Sequence, residues 1–147
     1  MKTFYDYAEN DYLFLKDIDK TNTNAYNAYC ALSQSVCERY LKHIVDEHVR
    51  PTSAVEEKEK EDVLRTHSLR KLCNYLGRYL PAFVVDTAAV YKAEGFYFAV
   101  RYPGDSSYFA ELNDVEACEE AVCKCRLAVR LYLKLEPPTT GNACLEE

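Results

Sequence analysis

The sequence is short of the residues that make tight turns. It contains four glycines and five prolines in 147 residues, and two of the prolines, Pro137 and Pro138, stand close to its C-terminal end. An all-β chain of this length needs many tight turns, so the scarcity argues against a sandwich or a barrel. The length and the hydrophobic content of 48% are those of one globular domain that can bury a core.

Long apolar runs and an excess of positive charge are also missing. No segment is long and apolar enough to cross a bilayer and no secretory signal follows Met1, so we expect a cytoplasmic protein without membrane contact. The net charge of −6 disfavours nonspecific attraction to DNA or anionic membranes, although it permits a local basic patch. Seven cysteines lie mostly inside apolar helical patterns, where reduced thiols act as small core hydrophobes.

Apolar residues recur at helical spacing along most of the chain, which predicts an all-α, up-and-down bundle of four to five helices. The predicted helical segments are 3–19, 24–49, 66–80, 83–100 and 113–135. Residues 96–100 could locally be a strand, but a lone strand would lack a partner.

Two further stretches lie outside these helices. The charged run at 56–62 has no apolar face, so it is either a solvated helix or a disordered loop. We predict a single domain over 1–136 and a flexible tail over 137–147.

The first predicted helix carries a carboxylate on its apolar stripe. Thr3 and Asp6 have the spacing of a capping box. The stripe expected to face the core consists of Phe4, Tyr7, Phe14 and Ile18. Asp11 falls on the same stripe, and a carboxylate that faces a core needs a partner such as Arg, Lys or backbone amides. That partner either serves the fold alone or belongs to a site.

The second and last predicted helices have clear apolar faces. The second helix is expected to turn Val36, Tyr40 and Ile44 inward, and to leave Glu38, Lys42, His43 and Asp46 on its solvated side. His48 lies on the apolar row near the C-terminus of that helix, where the helix dipole favours a cation. The last helix is predicted to begin at Asn113, with Glu116 as its reciprocal cap.

Motifs for metal binding and for phosphate-cradling loops are absent. The sequence contains no Cys-x-x-Cys pair, no His-x-x-x-His pair and no glycine-rich nucleotide loop. We therefore predict no metal ion and no cofactor, and we exclude a Rossmann or P-loop enzyme. The three cysteines of the last helix, Cys118, Cys123 and Cys125, are interpreted as packing residues.

A polar stripe on the third predicted helix is the best candidate site. Its members recur at three- and four-residue intervals and could hold phosphate through charge-assisted hydrogen bonds: His67, Arg70, Lys71, Asn74 and Arg78. The alternative is an ordinary solvated face that balances nearby acids. The last helix repeats the pattern, with the same alternative, in Arg126, Arg130 and Lys134.

Arg101 is a second candidate, because it stands just before a break at Pro103 and Gly104. An arginine fixed at a helix end can hold a phosphate or a carboxylate in bidentate geometry. An ion pair of Arg101 with Asp11 or Asp105 would instead serve the fold alone.

The order of three segments resembles the HEPN superfamily of helical domains associated with nucleotides and RNA. These segments are Ala28–Lys42, which looks like the long second helix of that family, Thr66–Leu72, which opens the next helix, and Arg101–Pro103, which precedes the final helix. The resemblance covers about Tyr7 to Leu135. It implies an up-and-down bundle of four or five helices, often a homodimer, in which His67 and Arg101 match the family pattern.

The resemblance also implies three kinds of function. Family members accompany nucleotidyltransferases, act as ribonucleases of toxin–antitoxin pairs, or serve as noncatalytic binding modules. The ribonuclease members place four to six residues between an Arg and a His, whereas the matching positions after Arg101 hold Ser106, Ser107 and Tyr108. No imidazole is therefore placed there for proton transfer.

Three hypotheses follow from the sequence. The first is a noncatalytic HEPN-like domain that binds a nucleotide, RNA or a nucleotidyltransferase, with Asp11 orienting Arg101. The second is a metal-independent ribonuclease with His67 as base and Arg101 as stabiliser of the oxyanion. The third is a structural dimerisation or adaptor domain that uses some of the thirteen tyrosines at its interface.

Overall fold

A computed structural model describes residues 1–100, 103–104 and 108–136 of the chain. The described part is an all-α helical bundle without strands, as the sequence predicts. A short 3₁₀ turn, Thr23–Ala25, precedes the second of its α-helices. The helices are α1 Phe4–Asp17, α2 Tyr26–His48, α3 Ala54–Leu64, α4 Leu69–Tyr79, α5 Thr87–Tyr91, α6 Phe96–Ala99 and α7 Leu112–Tyr132. Arg101 and the predicted tail at 137–147 lie outside the described residues.

Helices α1, α2 and α7 form the centre of the bundle. The Tyr40 hydroxyl of α2 donates to the Glu9 carboxylate of α1 at 2.7 Å, and Arg126 of α7 donates to the same carboxylate at 2.8 Å. Helix α1 runs antiparallel to α7, because Tyr5, one turn before Glu9, meets Arg130, one turn after Arg126, at 2.7 Å. One polar network therefore joins three helices around the apolar core.

Helices α2 and α7 run in the same direction. The thiol of Cys30 lies beside that of Cys118, and the thiol of Cys37 lies beside that of Cys125. Both pairs are separated by seven residues on each helix, which is two helical turns. The four cysteines are buried and form no disulfide, as expected for packing residues.

Helices α3 and α4 form an antiparallel hairpin. Ser53 and Ser68 cap the two helices with their hydroxyl groups. The charged run at 56–62 is thus helical, and Lys60 donates to the carbonyls of Asp46 and Val49 at the C-terminal end of α2. Such a lysine satisfies carbonyl groups that a helix end leaves without partners. The hairpin is thereby fixed to the central helix.

Several predicted details of the helices are wrong. The 83–100 segment forms two short helices, and α7 is capped by Glu111 and Asp114 instead of Asn113 and Glu116. Helix α7 ends at Tyr132, because Lys134 adopts a positive φ of 61° and the Leu135 amide donates to the Arg130 carbonyl at 2.8 Å. These two features form a Schellman motif, which stops the helix before Leu135.

The prediction for the inner face of α1 is also wrong. Ala8, Tyr12 and Leu15 face the core, whereas Tyr7 and Phe14 are 59% and 61% exposed. Ile18, the last residue of the predicted stripe, does pack against the core, so the stripe stays on the surface at Tyr7 and Phe14. The capping box of Thr3 and Asp6 is confirmed.

Candidate functional site

A surface cleft of about 550 Å³ lies between α3 and α4. Residues from both helices and from the turn between them line this cleft: Glu59, Asp62, Val63, Arg65, Thr66, Lys71, Asn74, Tyr75 and Arg78. Three of the five residues of the predicted phosphate stripe, Lys71, Asn74 and Arg78, are therefore brought together. Arg65 was not predicted, because it belongs to the turn and not to the periodic face of a helix.

The charges of the cleft are not all paired. Glu59 accepts hydrogen bonds from Arg78 at 3.3 Å and from the Tyr79 hydroxyl at 2.7 Å, while Asp62 binds Lys58 at 2.9 Å. In the part of the chain that the structure describes, the side chains of Arg65, Lys71 and Asn74 make no hydrogen bond or ion pair. Two cations and one amide thus have donor groups available for an anion.

The other two members of the stripe lie elsewhere. Arg70 stacks on the Tyr91 ring, with 4.2 Å between its guanidinium carbon and the ring centroid. His67 precedes the Ser68 cap of α4, so it is not on the helix face that the sequence predicts. Arg70 and His67 therefore do not line the cleft, although helical periodicity places all five residues of the stripe on one surface.

A buried polar cluster surrounds Glu38, which the sequence places on the solvated side of α2. The Glu38 carboxylate lies 3.3 Å from His67 Nδ1, 3.3 Å from the Gln34 amide and 3.7 Å from Lys42 Nζ. The Gln34 amide also donates to the His67 carbonyl at 2.7 Å. Glu38 and Lys42 are only 4% and 7% exposed, which contradicts the prediction for both residues.

The electrostatics of this cluster follow from its burial. Burial raises the pKa of Glu38, although Lys42, His67 and Gln34 partly oppose the change. Burial likewise lowers the pKa of Lys42, and the nearby Glu38 carboxylate opposes it. Through its contacts with His67 the cluster joins α2 to the start of α4. The Glu38 carboxylate also fixes the orientation of the His67 imidazole. Helical spacing could not reveal this buried cluster, because Gln34, Glu38 and Lys42 also fit an ordinary solvated row of a helix.

Asp11 has a structural partner. Its carboxylate forms an ion pair with Arg39, which lies next to Glu38 on α2. The two side chains are 25% and 37% exposed, so the pair lies at the margin of the bundle. Asp11 therefore links α1 to α2, and its predicted contact with Arg101 involves a residue that is not described.

Two arginines of α7 also serve the fold. Arg126 holds Glu9, and Arg130 donates to the Tyr5 hydroxyl at 2.7 Å and to the Glu136 carboxylate at 2.8 Å. Burial by itself would raise the pKa of Glu9, but hydrogen bonds from Arg126 and Tyr40 outweigh burial, and the pKa is lowered. Both arginines balance nearby acids, as the alternative interpretation expects, but their side chains are only 14% and 21% exposed and do not form an ordinary solvated face.

His43 is buried, although the sequence places it on the solvated side of α2. It is 8% exposed, its Nδ1 atom has no hydrogen-bond partner, and burial lowers its pKa. Its ring lies 5.6 Å from the Tyr5 ring and 6.2 Å from the His48 ring, measured between centroids. No group of three or more His, Cys, Asp or Glu side chains among the described residues could hold a metal ion.

Comparison with known proteins finds no matching family model, no matching curated protein and no matching solved structure. In residues 1–100, 103–104 and 108–136, no helix has both the length and the apolar character that a bilayer span requires.

Proposed function

We propose that this chain is a noncatalytic, HEPN-like binding module that holds the phosphate groups of a nucleotide, either free or within RNA, in the α3–α4 cleft. The observation that carries the proposal is the convergence of Arg65, Lys71 and Asn74, whose side chains make no hydrogen bond or ion pair with other described residues. Guanidinium, ammonium and amide donors are those that proteins use for phosphate oxygens.

The shape and charge of the cleft favour a nucleotide over inorganic phosphate. Its volume lies within the range of about 300–1,000 Å³ that small-molecule sites occupy. The carboxylates of Glu59 and Asp62 stand at the same cleft, where they repel a bare anion but accept hydrogen bonds from ribose hydroxyl or base amino groups. Arg78 is held by Glu59 and adds positive charge at the rim.

Isothermal titration calorimetry with nucleoside mono- and triphosphates, single-stranded RNA and inorganic phosphate tests the proposal. We expect Lys71→Ala and Arg65→Ala each to weaken binding by about 10- to 150-fold, since one charge-assisted hydrogen bond contributes about 1.5–3 kcal/mol. Lys124→Ala on α7 and Arg50→Ala after α2 are the matched controls and should bind as the wild type does. If the wild type binds none of these ligands, or if the control variants lose as much affinity as Lys71→Ala and Arg65→Ala, the cleft is not the phosphate site.

The RNA arm of the titration separates the competing functions. Binding of RNA but not of free nucleotides identifies RNA as the ligand, and the reverse identifies a free nucleotide. The RNA recovered after each titration should be intact. Cleavage that disappears in His67→Ala would replace the noncatalytic assignment by the ribonuclease hypothesis, in which His67 acts as base beside Glu38.

The same proposal includes the cellular compartment and the partners of the protein. Six of the seven cysteines are described, and all six are buried free thiols, which fits a reducing cytoplasm. The resemblance to HEPN domains supports a nucleotidyltransferase as a partner and a homodimer as the assembly.

A further inference from the structure

The two ends of the α3–α4 cleft differ in charge. Because the two helices run antiparallel, Arg65 and Lys71 lie near the turn that joins them, whereas Glu59 and Arg78 meet farther from it, 3.3 Å apart. Glu59 precedes Arg65 by six residues, which is about 9 Å along a helix, and Arg78 follows Lys71 by seven residues, or about 10 Å. The cleft is therefore elongated, with two cations at the turn and a carboxylate at the far end.

The Glu59 carboxylate is held in place through one of its two oxygens. Its Oε2 atom accepts hydrogen bonds from Arg78 at 3.3 Å and from the Tyr79 hydroxyl at 2.7 Å. Within residues 1–100, 103–104 and 108–136, its Oε1 atom accepts no hydrogen bond. The side chain is 37% exposed and lines the cleft, so Oε1 is accessible to an O–H or N–H donor of a ligand. Glu59 thus presents a pre-oriented acceptor.

Asp62, the second carboxylate of the cleft, is much less fixed. Its side chain is 59% exposed and binds only Lys58, which lies one turn earlier on the same helix, at 2.9 Å. An exposed pair of this kind restrains both side chains weakly. Selective recognition requires an acceptor that other contacts hold in one orientation. Glu59 meets that requirement and Asp62 does not.

We propose that Glu59 accepts a hydrogen bond from the 2′-hydroxyl group of the bound nucleotide, so that the cleft selects ribonucleotides over deoxyribonucleotides. The inference rests on the proposed function, in which Arg65 and Lys71 hold the phosphate at the other end of the cleft. The 2′-hydroxyl is the ribose hydroxyl that a free ribonucleotide and an RNA strand share, and it distinguishes RNA from DNA. An acidic side chain that accepts a hydrogen bond from this group is a general means of recognising ribose.

Isothermal titration calorimetry with matched pairs of ligands tests the proposal. The pairs are ATP, GTP and CTP with dATP, dGTP and dCTP, and oligouridine with oligodeoxyuridine. The wild type should bind each ribose form about tenfold more tightly, which corresponds to about 1.4 kcal/mol. This preference is near the lower end for a hydrogen bond to a charged group, because Glu59 is partly exposed.

A variant of Glu59 assigns the preference to this side chain. Glu59→Ala removes the acceptor but leaves Arg65 and Lys71, so it should still bind nucleotides and should bind both sugar forms with equal affinity. Glu61→Ala is the matched control, because Glu61 is exposed on the same helix and does not line the cleft. This control loses the same charge and should keep the tenfold preference. Far-UV circular dichroism confirms that each variant is folded.

The outcomes separate this inference from the phosphate site on which it rests. If the wild type binds both sugar forms equally, the phosphate site stands and the role of Glu59 is refuted. A preference that persists in Glu59→Ala, or that disappears equally in Glu61→Ala, also overturns it. A preference that disappears in Asp62→Ala and persists in Glu59→Ala would assign ribose recognition to Asp62 instead. If the wild type binds neither form, the proposed function itself fails.

Discussion

Burial changes the chemistry of residues that look alike in the sequence. Glu38 is enclosed by Gln34, Lys42 and His67, whereas Glu59 stands in the open cleft and binds Arg78. Helical spacing predicts a solvated position for Glu38, Lys42 and His43, and all three side chains are buried instead. In each case α2 is covered on a side where the sequence pattern predicts solvent.

The pH dependence of stability should reveal the buried state of His43. Its pKa in the folded protein lies below the ordinary value of 6.5, because burial disfavours the imidazolium. The unfolded chain therefore takes up this proton first, and the stability due to neutral His43 is lost as the pH falls below 6.5. In His43→Leu, the free energy of unfolding should decrease less between pH 7 and pH 5 than in the wild type. Urea denaturation at several pH values measures this difference, and parallel curves would contradict it.

Helices α1 and α2 differ in how much of their surface the bundle covers. Helix α1 turns Ala8, Tyr12 and Leu15 to the core and leaves Phe14 outside, while α2 is buried on nearly every side between residues 26 and 45. The buried polar row of α2 meets the α3–α4 hairpin, which also carries the proposed phosphate cleft. Glu38 and Gln34 contact His67, so this polar row joins α2 to the start of the helix that lines the cleft.

A double-mutant cycle should show that Glu38 and Lys42 depend on each other. Glu38→Leu leaves Lys42 buried without its carboxylate and should lower the free energy of unfolding by about 3 kcal/mol. The double variant Glu38→Leu with Lys42→Met removes both charges and should recover most of that loss. Urea denaturation gives the four free energies.

The exposed pair Lys58–Asp62 has the same i,i+4 spacing and provides the control. Its removal should change the stability by at most about 0.5 kcal/mol. A cost for Glu38→Leu as small as that of the control would refute the prediction.

At the scale of the whole molecule, α1, α2 and α7 enclose the core and hold the thiols inside it. Burial raises the pKa of Cys37 well above the ordinary value and that of Cys73 to about 12, and the neighbouring Cys30 thiol together with burial raises the pKa of Cys118. Each of these thiols also lies beside another thiol, which opposes ionisation further. The thiolate is the reactive form, so the folded core should be inert to thiol reagents.

Labelling with a disulfide reagent such as DTNB should therefore report global unfolding. Cys144 lies outside the described residues, so the experiment uses the Cys144→Ala variant, which retains only the six described thiols. We expect native labelling at least about a thousandfold slower than labelling in urea, since a stable domain unfolds at a cost of 5 kcal/mol or more. One or more thiols that react at once in the native protein would contradict a closed core.

The sequence by itself determined the all-α class and the approximate positions of α1, α2, α4 and α7. Helical periodicity is a local property, so the apolar faces of α2 and α7 and the capping box at Thr3 could be read directly. Local signals also placed Lys71, Asn74 and Arg78 on one face of α4, and these three residues do line one cleft.

Only the tertiary structure decided which surfaces meet. The turn residue Arg65 joins the cleft because α3 folds back on α4, and Glu38 is buried because that hairpin covers α2. Helix α1 has two apolar rows, and its sequence does not say which one the bundle takes. The physical reason is that burial depends on contacts between residues distant in sequence, whereas periodicity records only neighbours within a few turns.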